Sequence, residues 1–373
     1  MYLLIGADLV PTKSNRELFA LGDVRGLIGS ELLTLMEEAA YRIINLEVPL
    51  ADQETPIKKC GPNLCAPTAS MVGYAAMGVN LVTLANNHVL DQDVQGLRST
   101  CSLLRERGIP YLGAGSTLEE ASRPYIFRFH THKIGVYACV EHEFSCASAK
   151  RAGANPFEPL ETPDQIKTLK EQCDYVIVLY HGGKEHYRYP SPGLQKVCRK
   201  LVEKGADLVV CQHSHCIGCE EDYLQGKIIY GQGNFLFDYS DIEEWQTGML
   251  IRLSDDLEIS YVPLVKHGCG VRMANSKTAK EIMEGFWRRS ERIKDEAVVK
   301  EEYERFAKLM EREYLSKLLR DKSFFAKLAN RLTCGKYHQW ILKRSFSEKT
   351  KNRIRNYIEC ESHQELLVQI LKQ

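Results

Sequence analysis

Short apolar runs alternate with amphipathic stretches along roughly the first three quarters of the chain. Tyr2–Ile5, Arg42–Asn45, Leu81–Leu84, Tyr125–Phe129, Lys133–Cys139, Tyr175–Tyr180, Leu208–Cys211, Lys227–Tyr230 and Gly248–Leu253 are rich in Val, Ile, Leu and aromatic residues and read as strands. Between them, Glu31–Ala39, Gln95–Arg107, Pro163–Gln172 and Ser191–Lys204 carry apolar residues at helical spacing. Pro163 and Pro192 stand near helix starts, where a missing N–H costs nothing, and Gly108 and Gly205 stand just past helix ends. Strand–helix alternation of this kind predicts an α/β fold with a largely parallel core.

From about Ser276 the pattern changes. Strand signals vanish, and Val299, Tyr303, Phe306 and Met310 recur at helical spacing, followed by Phe325, Leu328 and Leu332 and finally by Leu366, Leu367 and Ile370. The expected organisation is an α/β domain over residues 1–272 and a helical, basic extension over 273–373. The 373-residue chain has a formal net charge of +0, but Lys and Arg outnumber Asp and Glu after Ser276 and are outnumbered before it. That basic surplus reads as a solvated helix surface rather than a nucleic-acid site, because no motif accompanies it.

Composition is that of a globular domain, with 44% hydrophobic and 26% charged residues. Thirteen cysteines at irregular spacings, several inside strand-like runs, point away from a disulfide framework. The chain enters a strand at Tyr2 without a cleavable leader pattern, and no apolar run approaches the roughly 20 residues that span a bilayer. The expectation is a cytoplasmic, reduced protein with no membrane span.

The candidate chemistry lies where these strands end. Asp8, Glu47, Asn87, His181, His213 and His215 each follow or close an apolar run, and strands that end together in one sheet deliver such residues to one crevice. Carboxylate, amide and imidazole donors together suit one or two divalent transition ions, Mn, Zn or Fe, better than calcium. His213 and His215 can address adjacent ions, and a carboxylate from Glu47 or Asp8 can bridge them. His88 is then free to give a proton to a leaving group, oriented by Asp91 three residues on. Glu185, His186 and Asn234 are candidate substrate contacts. Cys216 and Cys219 follow the two histidines closely enough for a zinc knuckle, an alternative that leaves the Glu47 and Asn87 motifs without a role.

Asn-Leu-Glu47, Leu-Ala-Asn-Asn87-His88-Val-Leu-Asp91, His181-Gly-Gly-Lys-Glu, Gln-His213-Ser-His215 and Tyr-Gly-Gln-Gly-Asn234-Phe-Leu-Phe-Asp238 resemble, in order, the motifs of the CapA family, the poly-γ-glutamate capsule synthesis proteins, which are related to calcineurin-like metallophosphatases. The resemblance runs from about Tyr2 to Asp238. It implies a four-layer α/β/β/α sandwich with a two-metal site at one edge, Asp8, Glu47, Asn87, His181, His213 and His215 as ligands, and His88 as proton donor. The chain departs from the phosphatase pattern at Val10, where a His is usual, at Asn86 in place of Gly, and at Glu47 in place of Asp. Two functions are therefore expected. One is a metal-dependent hydrolase in which a metal-bound hydroxide attacks a phosphoester or another bond in a small or polymeric anionic substrate. The other is a non-hydrolytic accessory protein of polymer synthesis.

Overall fold

The strand signals resolve into two sheets in the computed structural model, which describes residues 1–319 and 330–371. In the first sheet, β1 (Tyr2–Leu9), β2 (Tyr41–Leu46), β3 (Leu81–Thr83) and β4 (Tyr111–Leu112) run parallel. A short parallel strand, β13 (Asn234–Leu236), adds beside β1. The same flank of β1, away from β2, carries β14 (Thr247–Ser254), followed by β15 (Ile259–His267) and β16 (Gly270–Met273), each antiparallel to the one before. The second sheet has a parallel centre, β7 (His132–Val140), β9 (Tyr175–His181), β10 (Leu208–Gln212) and β12 (Gly226–Tyr230). Its antiparallel edges are β6 (Tyr125–Phe129) and β11 (Glu220–Tyr223), and β5 (Ala114–Gly115) pairs separately with β8 (Gly153–Ala154).

The two-residue period of a strand sorts side chains into three apolar layers. Leu3, Ile5, Ile43 and Ile251 of the first sheet pack in one cluster with Val136, Ile177, Leu179 and Val210 of the second, so the sheets lie face to face. Their alternates Leu4, Ile44 and Val82 face α2 (Val24–Glu38) and α4 (Asp93–Glu106) through Leu27, Leu32, Leu97 and Leu104. On the far side, Val176, Val178 and Val209 pack on Ile166 and Leu169 of α6 (Thr162–Lys170) and on Leu201 and Val202 of α7 (Pro192–Glu203). The architecture is a four-layer α/β/β/α sandwich.

Each strand expected from the sequence is present, and β4, β5, β8, β11, β13, β15 and β16 are found in addition. β15 was hidden by Pro263, normally excluded from interior strands. The Pro263 carbonyl accepts from Ala274, just beyond the end of β16, so the missing N–H falls past the last paired residues of that ladder. The helix expected at Glu31 begins earlier, at Val24, and is kinked at Gly29 (φ 78°, ψ 169°).

The chain divides into two compact units, Met1–Tyr303 and Glu304–Gln373. The first includes α8 (Ser276–Arg292), whose Phe286 is fully buried in the layer between the sheets. The second contains α10 (Lys336–Ser345), α11 (Glu348–Glu359) and α12 (Glu361–Leu371), after α9 (Glu296–Lys317). Phe325 and Leu328 of the expected apolar stripe fall outside the described residues. Among the described residues, no helix is long and apolar enough to cross a membrane.

Candidate metal centre

Parallel strands of both sheets end at one edge, and the candidate ligands stand there. Asp8 lies near the end of β1, Glu47 directly follows β2, His181 closes β9 and His213 directly follows β10. Their side-chain donors gather into two adjoining groups, Glu47–His181–His213 and Asp8–Glu47–His215, each with ligand atoms within 4.8 Å of one another. Glu47 belongs to both. Asn87 extends the first group, its Oδ1 being 3.1 Å from His181 Nε2, an atom also 3.2 Å from Glu47 Oε1.

Strain shapes the His213-Ser214-His215 turn. His213 (φ 91°) and His215 (φ 53°) both have positive φ, a region that L residues other than Asn, Asp and His seldom adopt. Gly231 packs behind the turn at φ 110°, and a Cβ there would lie 2.7 Å from Ser214 Oγ and 2.8 Å from the Cys216 carbonyl. The Gly231-Gln-Gly233 segment is therefore the support of the turn, and no larger residue fits at its first position.

The buried donors offer a place for a cation. Asp8 and Glu47 are completely buried among three buried imidazoles. Both carboxylate oxygens of Glu47 lack a hydrogen-bond partner, the approach of His181 being misaligned for one, and His213 Nδ1 and Asn234 Nδ2 are likewise buried and unsatisfied. Buried carboxylate oxygens are rarely left so unless they are paired or coordinate metal. Burial works against ionising Asp8, but hydrogen bonding to His215, the charge of His181 and the Asn45 amide outweigh it and hold the carboxyl at about 2. Burial also opposes a charge on His215, yet Asp8 and Glu47 carry it up to about 9. His213 is driven well below its ordinary value, first by burial and then by His181 and His215, which leaves a neutral ring with a free lone pair. These donors fit a divalent transition ion.

A second constellation adjoins the first. His88 Nδ1 is 2.6 Å from Asp91 Oδ2, which also accepts from Leu64 N at 2.6 Å, and the ring is close enough for its charge to bear on His213. Asp91 Oδ1 is ion-paired with Lys59, whose side chain is only 3% exposed and whose Nζ is 3.4 Å from His88 Nδ1. Asn86, in the place where Gly is usual, is fully buried. It donates to Asn45 Oδ1 and the Leu46 carbonyl and accepts from His88 N, tying the Asn87-His88 turn to β2.

Sequence reasoning missed Lys59, Asn45 and the structural role of Asn86. Lys59 sits in a polar loop that gives no local sign of burial, whereas Asn45, whose Nδ2 donates to Asp8 Oδ1 at 2.8 Å, was readable as a polar residue ending an apolar run. Of the three expected substrate contacts, Asn234 is buried against His215, its Oδ1 2.9 Å from Nδ1. His186 accepts from Trp245 Nε1 at 3.0 Å, its ring 6.4 Å from that of His215, and Glu185 is exposed on the loop. Cys216 and Cys219 enter neither ligand group among the described residues, and burial pushes the Cys216 thiol up to about 11.

Comparison with known proteins agrees with this reading of the motifs. The chain is 27% identical over 212 residues to the capsule biosynthesis protein CapA of Bacillus anthracis, covering 54% of this chain and 52% of that protein. It is 28% identical over 169 residues to the PGA biosynthesis protein CapA of Bacillus subtilis, covering 43% of each. The chain thus spans about half the length of these relatives. A phosphatase structure from Mycoplasma pneumoniae aligns with a TM-score of 0.44 at 12% identity, over 75% of this chain and 96% of that one. The model of the bacterial capsule synthesis protein family, PGA_cap, matches residues 16–239, more than half of the chain, and the protein belongs to that family.

Proposed function

We propose that the protein is a metal-dependent hydrolase of an anionic substrate, either a phosphoester or an anionic polymer of the capsule kind for which its relatives are named. The observation that carries this reading is the pair of adjoining donor groups sharing a buried, unsatisfied Glu47, with an imidazole–carboxylate pair beside them. Glu47, Asn87, His181 and His213 would hold one ion, and Asp8, Glu47 and His215 the other. Such ions, when bound, polarise the scissile group and make water a nucleophile near neutral pH.

The remaining steps belong to the protein. Asp91 fixes the His88 ring by accepting from Nδ1, so Nε2 is the nitrogen that delivers a proton to the departing oxygen. Lys59 balances the Asp91 charge inside the protein. Asn234 Nδ2, buried and without an acceptor, is an uncommitted donor beside His215.

A second reading, a non-hydrolytic accessory role in polymer synthesis, draws on one observation. Val10 lies in the apolar core and contributes nothing to the Asp8 group, which holds three carboxylate or imidazole ligands without it. The test is hydrolysis of phosphate mono- and diesters and of poly-γ-glutamate by protein supplied with Mn²⁺. Turnover abolished by Asn87→Ala, with metal content reduced in parallel, is expected. Binding of polymer without turnover of any of these would favour the accessory role.

A further inference from the structure

The two donor groups are unequal. Glu47, His181 and His213 gain a fourth donor from Asn87, whereas Asp8, Glu47 and His215 are three, and structural or catalytic transition ions take four or more donors in all. Val10 cannot help, because its side chain is 2% exposed within the apolar cluster and its N–H is spent on the Leu236 carbonyl. The residue placed to help comes from the neighbouring strand. β13 runs parallel to β1 with Asn234 in register with Asp8, and Asn234 is 6% exposed.

Asn234 Oδ1 is 2.9 Å from His215 Nδ1, the same nitrogen that lies 3.4 Å from Asp8 Oδ2. Donor atoms bonded to one ion at about 2.0–2.1 Å are separated by roughly 2.9–3.4 Å at ordinary coordination angles, so these spacings would let the three groups share an ion. The other end of the amide, Nδ2, is buried without a partner, so no protein acceptor fixes the group in its present orientation. A carboxylate, an imidazole and an amide oxygen thus converge from β1, the turn after β10, and β13.

We propose that Asn234 Oδ1 is a protein ligand of the ion held by Asp8, Glu47 and His215, taking the coordination place that Val10 does not fill. The inference rests on the metal reading above and assigns Asn234 a role apart from its Nδ2. The rival role is orientation, in which Asn234 accepts an N–H from His215 and never touches the ion.

The experiment is calorimetric titration of the metal-free, full-length protein with Co²⁺, followed by visible absorption at saturation, for the unsubstituted protein, Asn234→Ala and Asn234→Asp. The unsubstituted protein is expected to bind two ions. Asn234→Ala is expected to weaken one by at least about 10²-fold, since loss of even an outer partner of a ligand costs about 10–100-fold. At saturation it should also change the visible band intensity, which reports coordination number. Asn234→Asp, which keeps an oxygen and adds charge, should bind that ion at least as tightly as the unsubstituted protein. An unchanged cobalt spectrum in Asn234→Ala, or loss of the ion in a folded Asn234→Asp, would overturn the proposal. Failure of the unsubstituted protein to bind any Co²⁺ would overturn the metal reading itself, and the proposal with it.

Discussion

Replacement of His88 by Ala separates proton donation from metal binding. His88 is 9% exposed, and its Nδ1 donates to Asp91 across 2.6 Å. Removing the ring leaves Asp91 Oδ2 with the Leu64 amide and Oδ1 with Lys59, so the carboxylate stays paired. The structural cost is then one buried hydrogen bond and a small void, on the order of 1–3 kcal/mol, too little to unfold a domain of this size. The catalytic cost is larger. Loss of a general acid lowers turnover by about 10²–10⁴-fold, or about 3–5 kcal/mol of barrier. Rates per folded molecule should be compared on a series of phosphoesters of rising leaving-group basicity, with metal content measured on the same samples. The loss is expected to grow with basicity and nearly vanish for a nitrophenolate, which departs without a proton, while metal content holds. Equal losses across the series would refute proton donation by His88, and loss of metal would place the residue among the ligands.

Lys59→Met breaks a buried ion pair and leaves Asp91 undercompensated; a destabilisation of about 3–5 kcal/mol in urea unfolding is expected, partly restored in Lys59→Arg, and a change below about 1 kcal/mol would contradict the burial of this pair. Gly231→Ala forces a Cβ against Ser214 and the Cys216 carbonyl at φ 110°, so thermal melting should reveal a loss of at least about 1–3 kcal/mol; an unchanged melting temperature would mean that the turn is not supported as described. Glu141, whose Oε1 accepts from Gly183 N, is held above the usual carboxylate range chiefly by burial. A raised folded-state value means that its contribution is present at low pH and is lost as pH rises, so Glu141→Gln should melt above the unsubstituted protein at pH 8 and level with it at pH 4. The opposite order would show that its carboxylate is stabilised by the fold.

Legibility followed locality. β1, β9 and β10 are buried on both faces, so their apolar runs and the polar residues that end them stood out in the sequence. β15 did not, because most of its residues are only half-buried and Pro263 interrupts its pattern. The same division holds at the metal centre. Asp8, Glu47, Asn87, His181, His213 and His215 each carry a local signature, and the structure brings all six to one edge. The pairing of Lys59 with Asp91, across a loop, and the register of Asn234 with Asp8, across more than half of the chain, depend on tertiary placement that no window of sequence encodes.

The most direct test of the central claim is an anomalous-scattering map from crystals of the unsubstituted protein soaked in Mn²⁺. Two peaks are expected at the shared edge of the two sheets, both within bonding distance of Glu47, one also reached by Asn87, His181 and His213 and the other by Asp8 and His215. A map with no peak there at saturating Mn²⁺, and Glu47 still among its histidines, would contradict it.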